Sequence, residues 1–185
     1  MRRRKKTRLL TAALAALVPL ALAVVCPATT PEDELKSAAV LSFLRYSEWP
    51  SSSRGSITVG VFGRSGFADA LSHTLDGKLI NNRPVRLVPV DLTTDLRGFD
   101  LVYIASGKTG DVRQILAGAA NARALAVGEA DRFLDYGGAI HLYLIDGHIG
   151  FEVNLEAIER SGVTISSSML RLGQIHDPRR GRPSQ

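Results

Sequence analysis

Cysteine is nearly missing from this chain: Cys26 is the only one among 185 residues. No intramolecular disulfide can form, so the fold must rest on a packed core instead of covalent staples. Catalytic signatures are missing too. There is no Gly-x-Ser-x-Gly elbow, and no thiol lies beyond Cys26. The four histidines (His73, His141, His148, His176) show no metal-ligand spacing on a helix. These gaps argue against hydrolytic, thiol and zinc chemistry, and no cofactor or metal is expected. No internal repeat is present.

An excess of one charge is also lacking once the chain is divided. Lys and Arg total 23 against 18 Asp and Glu, but Arg2, Arg3, Arg4, Lys5, Lys6 and Arg8 cluster at the start, leaving 17 against 18. Arg179, Arg180 and Arg182 sit at the other end. The high pI belongs to the two ends and gives no case for a nucleic-acid surface.

The basic start leads into an apolar run, Leu9 to Val25, broken by Pro19 and followed by Cys26-Pro27-Ala28. That succession reads as an export signal over residues 1–28, cleaved near Ala28, which places the mature protein in the periplasm without stable membrane insertion. A membrane anchor is the competing reading, opposed by Pro19 and the small residues after Val25. A lipid on Cys26 is opposed by bulky Val25. Cleavage would discard Cys26, so melting is expected to be the same with and without a thiol reductant; a clear drop in the reduced sample would reveal a crosslink. Residues 29–176 suit a single α/β domain. The tail 177–185, rich in Pro, Gly, Arg and Ser, reads as disordered.

Along the chain, Thr30 before Pro31, Glu32, Asp33 and Glu34 predicts a capped helix running to about Ser47, ended by Pro50. Residues 51–56 read as a loop. Ile57 to Phe62 is a strand, followed by Gly63-Arg64-Ser65-Gly66 and a helix through Leu75 with Gly77 as terminator. Val85 to Val90 is a second strand, with Pro89 marking a sheet edge or the strand's end. Leu101 to Ala105 and Ala124 to Val127 are two more, separated by a helix carrying Val112, Ile115, Leu116 and Ala119. Asp131 to Tyr136 reads as one helical turn.

The clearest local signal is Asp146-Gly147 between two β-rich runs, a type I′ hairpin. A two-residue turn makes facing residues sum to 293, pairing Ile140 with Val153, Leu142 with Phe151 and Leu144 with Ile149 on an apolar, core-facing side. The other side pairs His141 with Glu152, Tyr143 with Gly150 and Ile145 with His148. Asn154 then caps a helix from Leu155 to Ser161, and Gly162 takes the left-handed position that ends it. The class expected is α/β, with a mixed, largely parallel sheet flanked by helices and a C-terminal antiparallel hairpin.

One motif fails on its spacing. Ser106-Gly107-Lys108-Thr109 is similar to the end of a phosphate loop, yet the first glycine would fall at Val102 inside a strand, so Thr109 reads as a plain helix cap. Gly63 and Gly66, with Arg64, flank a helix start that could hold an anion, and a tight turn is the bland alternative. Trp49 closes the core at the end of the first helix, or anchors recognition if exposed. With His141, Tyr143 and Glu152 on the half-polar hairpin face, it completes the candidate partner-binding set.

With these residues placed, the chain resembles the YfiR-like family of periplasmic proteins. Lys36, Phe43, Trp49 and Pro50 are similar to that family's opening helix, and Ile57 to Gly63 to its first strand. Gly137-Gly138-Ala139-Ile140, Gly147, Phe151-Glu152-Val153-Asn154-Leu155, Ile165-Ser166-Ser167, Leu170 and Leu172 are similar to its closing half. The resemblance implies a non-enzymatic repressor that binds the periplasmic region of an inner-membrane sensor, above all a diguanylate cyclase; a homodimer is compatible with it. It also implies a limit. Relatives carry cysteine pairs linked to redox control, and this chain, with Asp100 where relatives often have cysteine, can form none. The alternatives are a periplasmic small-ligand binding protein feeding a sensor kinase, or an unrecognised hydrolase.

Overall fold

The computed structural model describes residues 30–50, 55–63, 65–105 and 107–177. The expected signal segment, most of the 51–56 loop, Arg64, Ser106 and the tail after Asp177 lie outside them. Helix α1 (Pro31–Arg45) starts where its sequence demands, with the Thr30 hydroxyl accepting the Asp33 N–H at 3.2 Å and Asp33 returning a bond to the Thr30 backbone. It stops two residues short of the expected Ser47. Ser47 and Glu48 instead form β1 (Ser47–Glu48), which pairs with β9 (Thr164–Ile165) as a separate antiparallel ribbon. A tertiary partner overrides local helix preference there, and Ser47 is buried as a result.

The chain continues through β2 (Ile57–Phe62), α2 (Ser65–Leu75), β3 (Leu79–Ile80), β4 (Arg83–Val90), β5 (Leu101–Ile104), α3 (Thr109–Ala122) and β6 (Leu125–Gly128). It ends in β7 (Ile140–Ile145), β8 (His148–Val153), α4 (Leu155–Ser161), β9, α5 (Ser167–Leu170) and β10 (Gln174–Ile175). Eight strands make one mixed sheet in the order β10-β8-β7-β6-β5-β2-β4-β3. Its central pairs from β4 to β7 are parallel, as is β10 with β8; β7–β8 and β3–β4 are antiparallel. The fold is therefore α/β, as the alternation of strand and helix patterns implies.

Alternation along each strand builds two cores. Val59, Val61, Leu101, Tyr103, Leu125 and Val127 face the side that carries Val40, Phe43 and Leu44 of α1 and Phe67 and Leu71 of α2. Val102, Ile104 and Ala126 face Val112, Ile115, Leu116 and Ala119 of α3. Pro89 does lie at an edge, because it faces Val61 of β2 on one side while β3 pairs only with Arg83 and Pro84.

The hairpin has the register its turn requires. Ile140 faces Val153, His141 faces Glu152, and Ile145 faces His148, while Asp146 and Gly147 both hold positive φ, 49° and 76°. Asn154 caps α4 through the Ala157 N–H at 3.2 Å, and Gly162 ends it at φ 74°. One expectation fails at the tip. Leu144 is 43% exposed, because the hairpin extends past the helices that cover Leu142 and Phe151. Thr109 is not a cap either. Lys108, itself extended at φ −63° and ψ 139°, takes the N-cap position without any side-chain bond, so Thr109 is the first helical residue. Residues 131–137 form hydrogen-bonded turns and no regular helix.

Candidate functional site

Three of the four candidate residues share one place. Strand alternation puts His141, Tyr143 and Glu152 on the half-buried outer face of the hairpin, beside the turn 131–137. His141 stacks on Phe133 at 6.5 Å between ring centroids and touches Tyr143 at 5.9 Å. Tyr143 lies flat over its cross-strand neighbour Gly150, where a Cβ would come within 2.3 Å of the ring, so only glycine admits this packing.

Burial lowers the His141 pKa, more than the nearby Glu152, Glu129 and Asp131 carboxylates and a hydrogen bond with the Glu129 backbone raise it. The ring is neutral at pH 7. Because its folded value lies below its unfolded one, the unfolded chain takes up a proton first as the pH falls, and His141 then withdraws stability. Thermal melts between pH 8 and pH 5.5 should show a smaller loss for His141→Gln than for wild type; equal losses would refute the assignment.

Glu152 does not pair with His141 by hydrogen bond, although the register sets them opposite. Its Oε1 lies 3.1 Å from His176 Nδ1, and His176 Nε2 lies 3.3 Å from Asp135 Oδ1. Strand β10 causes this, running parallel to β8 with Gln174 opposite Glu152 and delivering His176 to the same face. Asp135 is held in turn by Arg132 at 3.1 Å, and the Arg113 and Arg132 guanidiniums lie over the Tyr136 ring, 4.7 and 5.5 Å from its centroid. Sequence reasoning missed Asp135 and His176, because a two-residue strand leaves no periodic signal.

Trp49 is elsewhere. His141 pairs with Gly128 at the end of β6, whereas Trp49 lines a cleft of about 330 Å³ with Pro50, Phe99, Asp100, Arg123 and Val163, next to residues that precede β5 and β6. The two lie at opposite ends of the parallel strands. Trp49 is half-buried and donates from Nε1 to the Leu44 carbonyl at 3.2 Å, closing the end of α1. Asp100, in the same cleft, accepts from the Thr58 N–H at 2.8 Å and sits 3.8 Å from Arg83, tying β2 to β5 where a cysteine would not.

A buried ion pair is the other feature missed. Lys36 of α1, 3% exposed, bonds Glu129 and lies 2.5 Å from Glu32. Burial alone would lower the Lys36 pKa, but the two carboxylates raise it on balance. Glu129 follows Leu125 and Val127 in the strand alternation, which aims it at α1. A polar Lys within an apolar helix was the available signal, yet its partner is 93 residues away. Beside Glu129 a cavity of about 320 Å³ opens outside the C-terminal ends of β5 and β6, lined by Gly107, Thr109, Asp131 and Tyr136. Among the described residues, no group of three His, Cys, Asp or Glu side chains is arranged to hold a metal ion. None of the described helices is long and apolar enough to cross a membrane.

No curated protein matches the sequence. Among solved structures, a conserved domain protein from Vibrio cholerae aligns with a TM-score of 0.54 at 12% identity, covering 78% of this chain and 60% of its own. An ABC domain in complex with L-Trp from Streptococcus pneumonia aligns with a TM-score of 0.50 at 12% identity, covering 65% of this chain and 55% of its own. The chain thus spans less than two thirds of either protein, and identities this low speak for the fold alone. A family model described as YfiR/HmsC-like matches residues 33–174, from the first turn of α1 to β10. That span takes in the hairpin, its capped helix and the Lys36–Glu129 pair, and the chain belongs to the YfiR/HmsC-like family.

Proposed function

We propose that this protein is an exported, non-enzymatic regulator that binds the periplasmic region of an inner-membrane signalling protein, a diguanylate cyclase above all, and holds it inactive. The observation that carries the reading is the family match over residues 33–174. Export is supported by the basic, apolar and small-residue succession of residues 1–28. The recognition face proposed is that of His141, Tyr143 and Glu152, an ordered polar surface on a rigid hairpin. Trp49, bonded to the end of its own helix, is proposed as a second contact at the other end of the sheet. Deleting the gene should raise cellular cyclic-di-GMP several-fold, and the wild-type gene should restore the basal level. Unchanged cyclic-di-GMP after deletion would refute the reading. Folded His141→Ala or Glu152→Ala protein that fails to restore it would support the face.

A small-ligand binding role feeding a sensor kinase is favoured by one observation. The cavity beside Glu129 and Asp131 lies outside the C-terminal ends of parallel strands, where open α/β sheets take ligands. Ligand-dependent melting shifts across a panel of amino acids and nucleotides would favour this role over the first.

A further inference from the structure

Strand β10 is held on the sheet by very little. Its ladder reaches only Glu152 and Val153 of β8, and the next amide, that of His176, adds one bond to the Val153 carbonyl at 2.8 Å. Its side chains bury almost nothing, since Gln174 is exposed, Ile175 is 63% exposed and Leu172, just before the strand, is 76% exposed. A segment with so few buried contacts belongs to the low-stability end of a fold. What ties it down is the His176 side chain, 15% exposed, set between the hairpin and the turn 131–137.

The contacts of that ring are those of its protonated form. Nδ1 lies 3.1 Å from Glu152 Oε1 and Nε2 lies 3.3 Å from Asp135 Oδ1, a carboxylate at each nitrogen. A neutral imidazole has one N–H and one lone pair, so either tautomer sets a lone pair against one of these oxygens. Only the imidazolium can donate to both. Nε2 has no other hydrogen-bond partner among the described residues. The charged and titratable groups around the ring are Asp135 with its partner Arg132 and Asp131 on the turn, Glu152 on β8, His141 opposite Glu152 on β7, and Asp177 next in the chain. Burial keeps His141 neutral at pH 7, so it does not compete for the Glu152 charge.

We propose that His176 is a proton-operated clasp for β10: as the imidazolium it bridges Glu152 and Asp135 and holds the strand on the hairpin, and on losing its proton it keeps one carboxylate at most and lets the strand loosen. A single proton passes from the ring to solvent, and no covalent bond of the chain changes. The stability supplied by the clasp is present while the ring is protonated and is lost as the pH rises through its titration. The consequence for function rests on the recognition face proposed above, because Glu152 belongs to both. With β10 loosened Glu152 is no longer fixed, and the ordered surface offered to the membrane partner is lost.

Proton NMR of the exported protein from pH 5 to pH 9 tests the clasp, following the His176 ring and, in the same samples, the exchange protection of the His176 backbone amide corrected for its intrinsic rate. Protection should fall about tenfold or more as the ring deprotonates, the weight of one charge-assisted hydrogen bond. The Ile158 amide, bonded to Asn154 within α4, should keep its protection throughout. Resolving the His141 ring separately keeps its own titration out of the assignment. Asp135→Asn is the deciding variant, because a side-chain amide can donate to the lone pair of a neutral ring as well as accept from a protonated one, so protection should stay high up to pH 9. Protection that does not follow the ring in wild type, or that falls equally in Asp135→Asn, overturns the proposal. Cyclic-di-GMP measured in cells moved from pH 6 to pH 8.5 separates the clasp from the function built on it. A rise in wild type that Asp135→Asn does not show supports both, whereas a clasp that opens with cyclic-di-GMP unchanged upholds the clasp and removes the recognition face.

Discussion

Phe151→Ala is expected to destabilise the protein by about 3–5 kcal/mol, lowering the melting temperature by on the order of 10 °C. Phe151 is 6% exposed, meets Phe43 of α1 edge-to-face at 5.0 Å, and has its other flank closed by Gly173, whose Cβ would come within 2.1 Å of the ring. Removing it opens a cavity between α1, the hairpin and the segment before β10. The neighbouring Glu152→Ala should cost far less, about 1–2 kcal/mol, because what is lost is one charge-assisted bond to His176 at a half-exposed site. The His141 contact adds little. Thermal melts of the two variants beside wild type check the contrast. Equal destabilisation would mean that the hairpin does not present these adjacent residues to opposite faces.

That contrast rests on the part of the fold most legible from the residues. Asp146-Gly147 fixes the turn, the turn fixes the register, and the register sorts every hairpin residue to one face or the other. Asn154 and Gly162 then bound α4 by local chemistry alone. Where local chemistry was the whole cause, reading succeeded. It failed where a distant partner decided the outcome: Ser47 leaves α1 because Ile165 pairs with it, and Glu152 turns to His176 because β10 returns alongside β8. Leu144 shows a third kind of failure. Its pattern is that of a core residue, but the periodicity of a strand says nothing about where the covering helices stop. The candidate site was legible to the same extent, with its hairpin face readable and the turn and strand that complete it hidden.

Lys36→Met is expected to cost about 3–5 kcal/mol, the usual penalty for removing one partner of a buried pair. The lysine itself is replaced by a side chain of similar length that packs well against Val40 and the rest of α1, so little volume is lost. The cost falls on Glu129. Its carboxylate is mostly buried, and its Oε1 has no hydrogen-bond partner among the described residues, so Lys36 alone compensates the charge. The double variant Lys36→Met, Glu129→Leu should therefore recover most of the loss, since a buried pair replaced by apolar groups of similar volume is close to neutral. The pH dependence gives a separate readout. With the Lys36 value raised on folding, its contribution is fully present below the ordinary lysine value near 10.5 and is lost as the pH rises through the folded one. Wild type should thus lose stability in strong alkali that the double variant does not lose, while the two behave alike from pH 7 to pH 9. Urea titrations from pH 7 into strong alkali measure both effects. A double variant no more stable than Lys36→Met would show that the pair fixes the position of α1 in a way that apolar packing cannot replace.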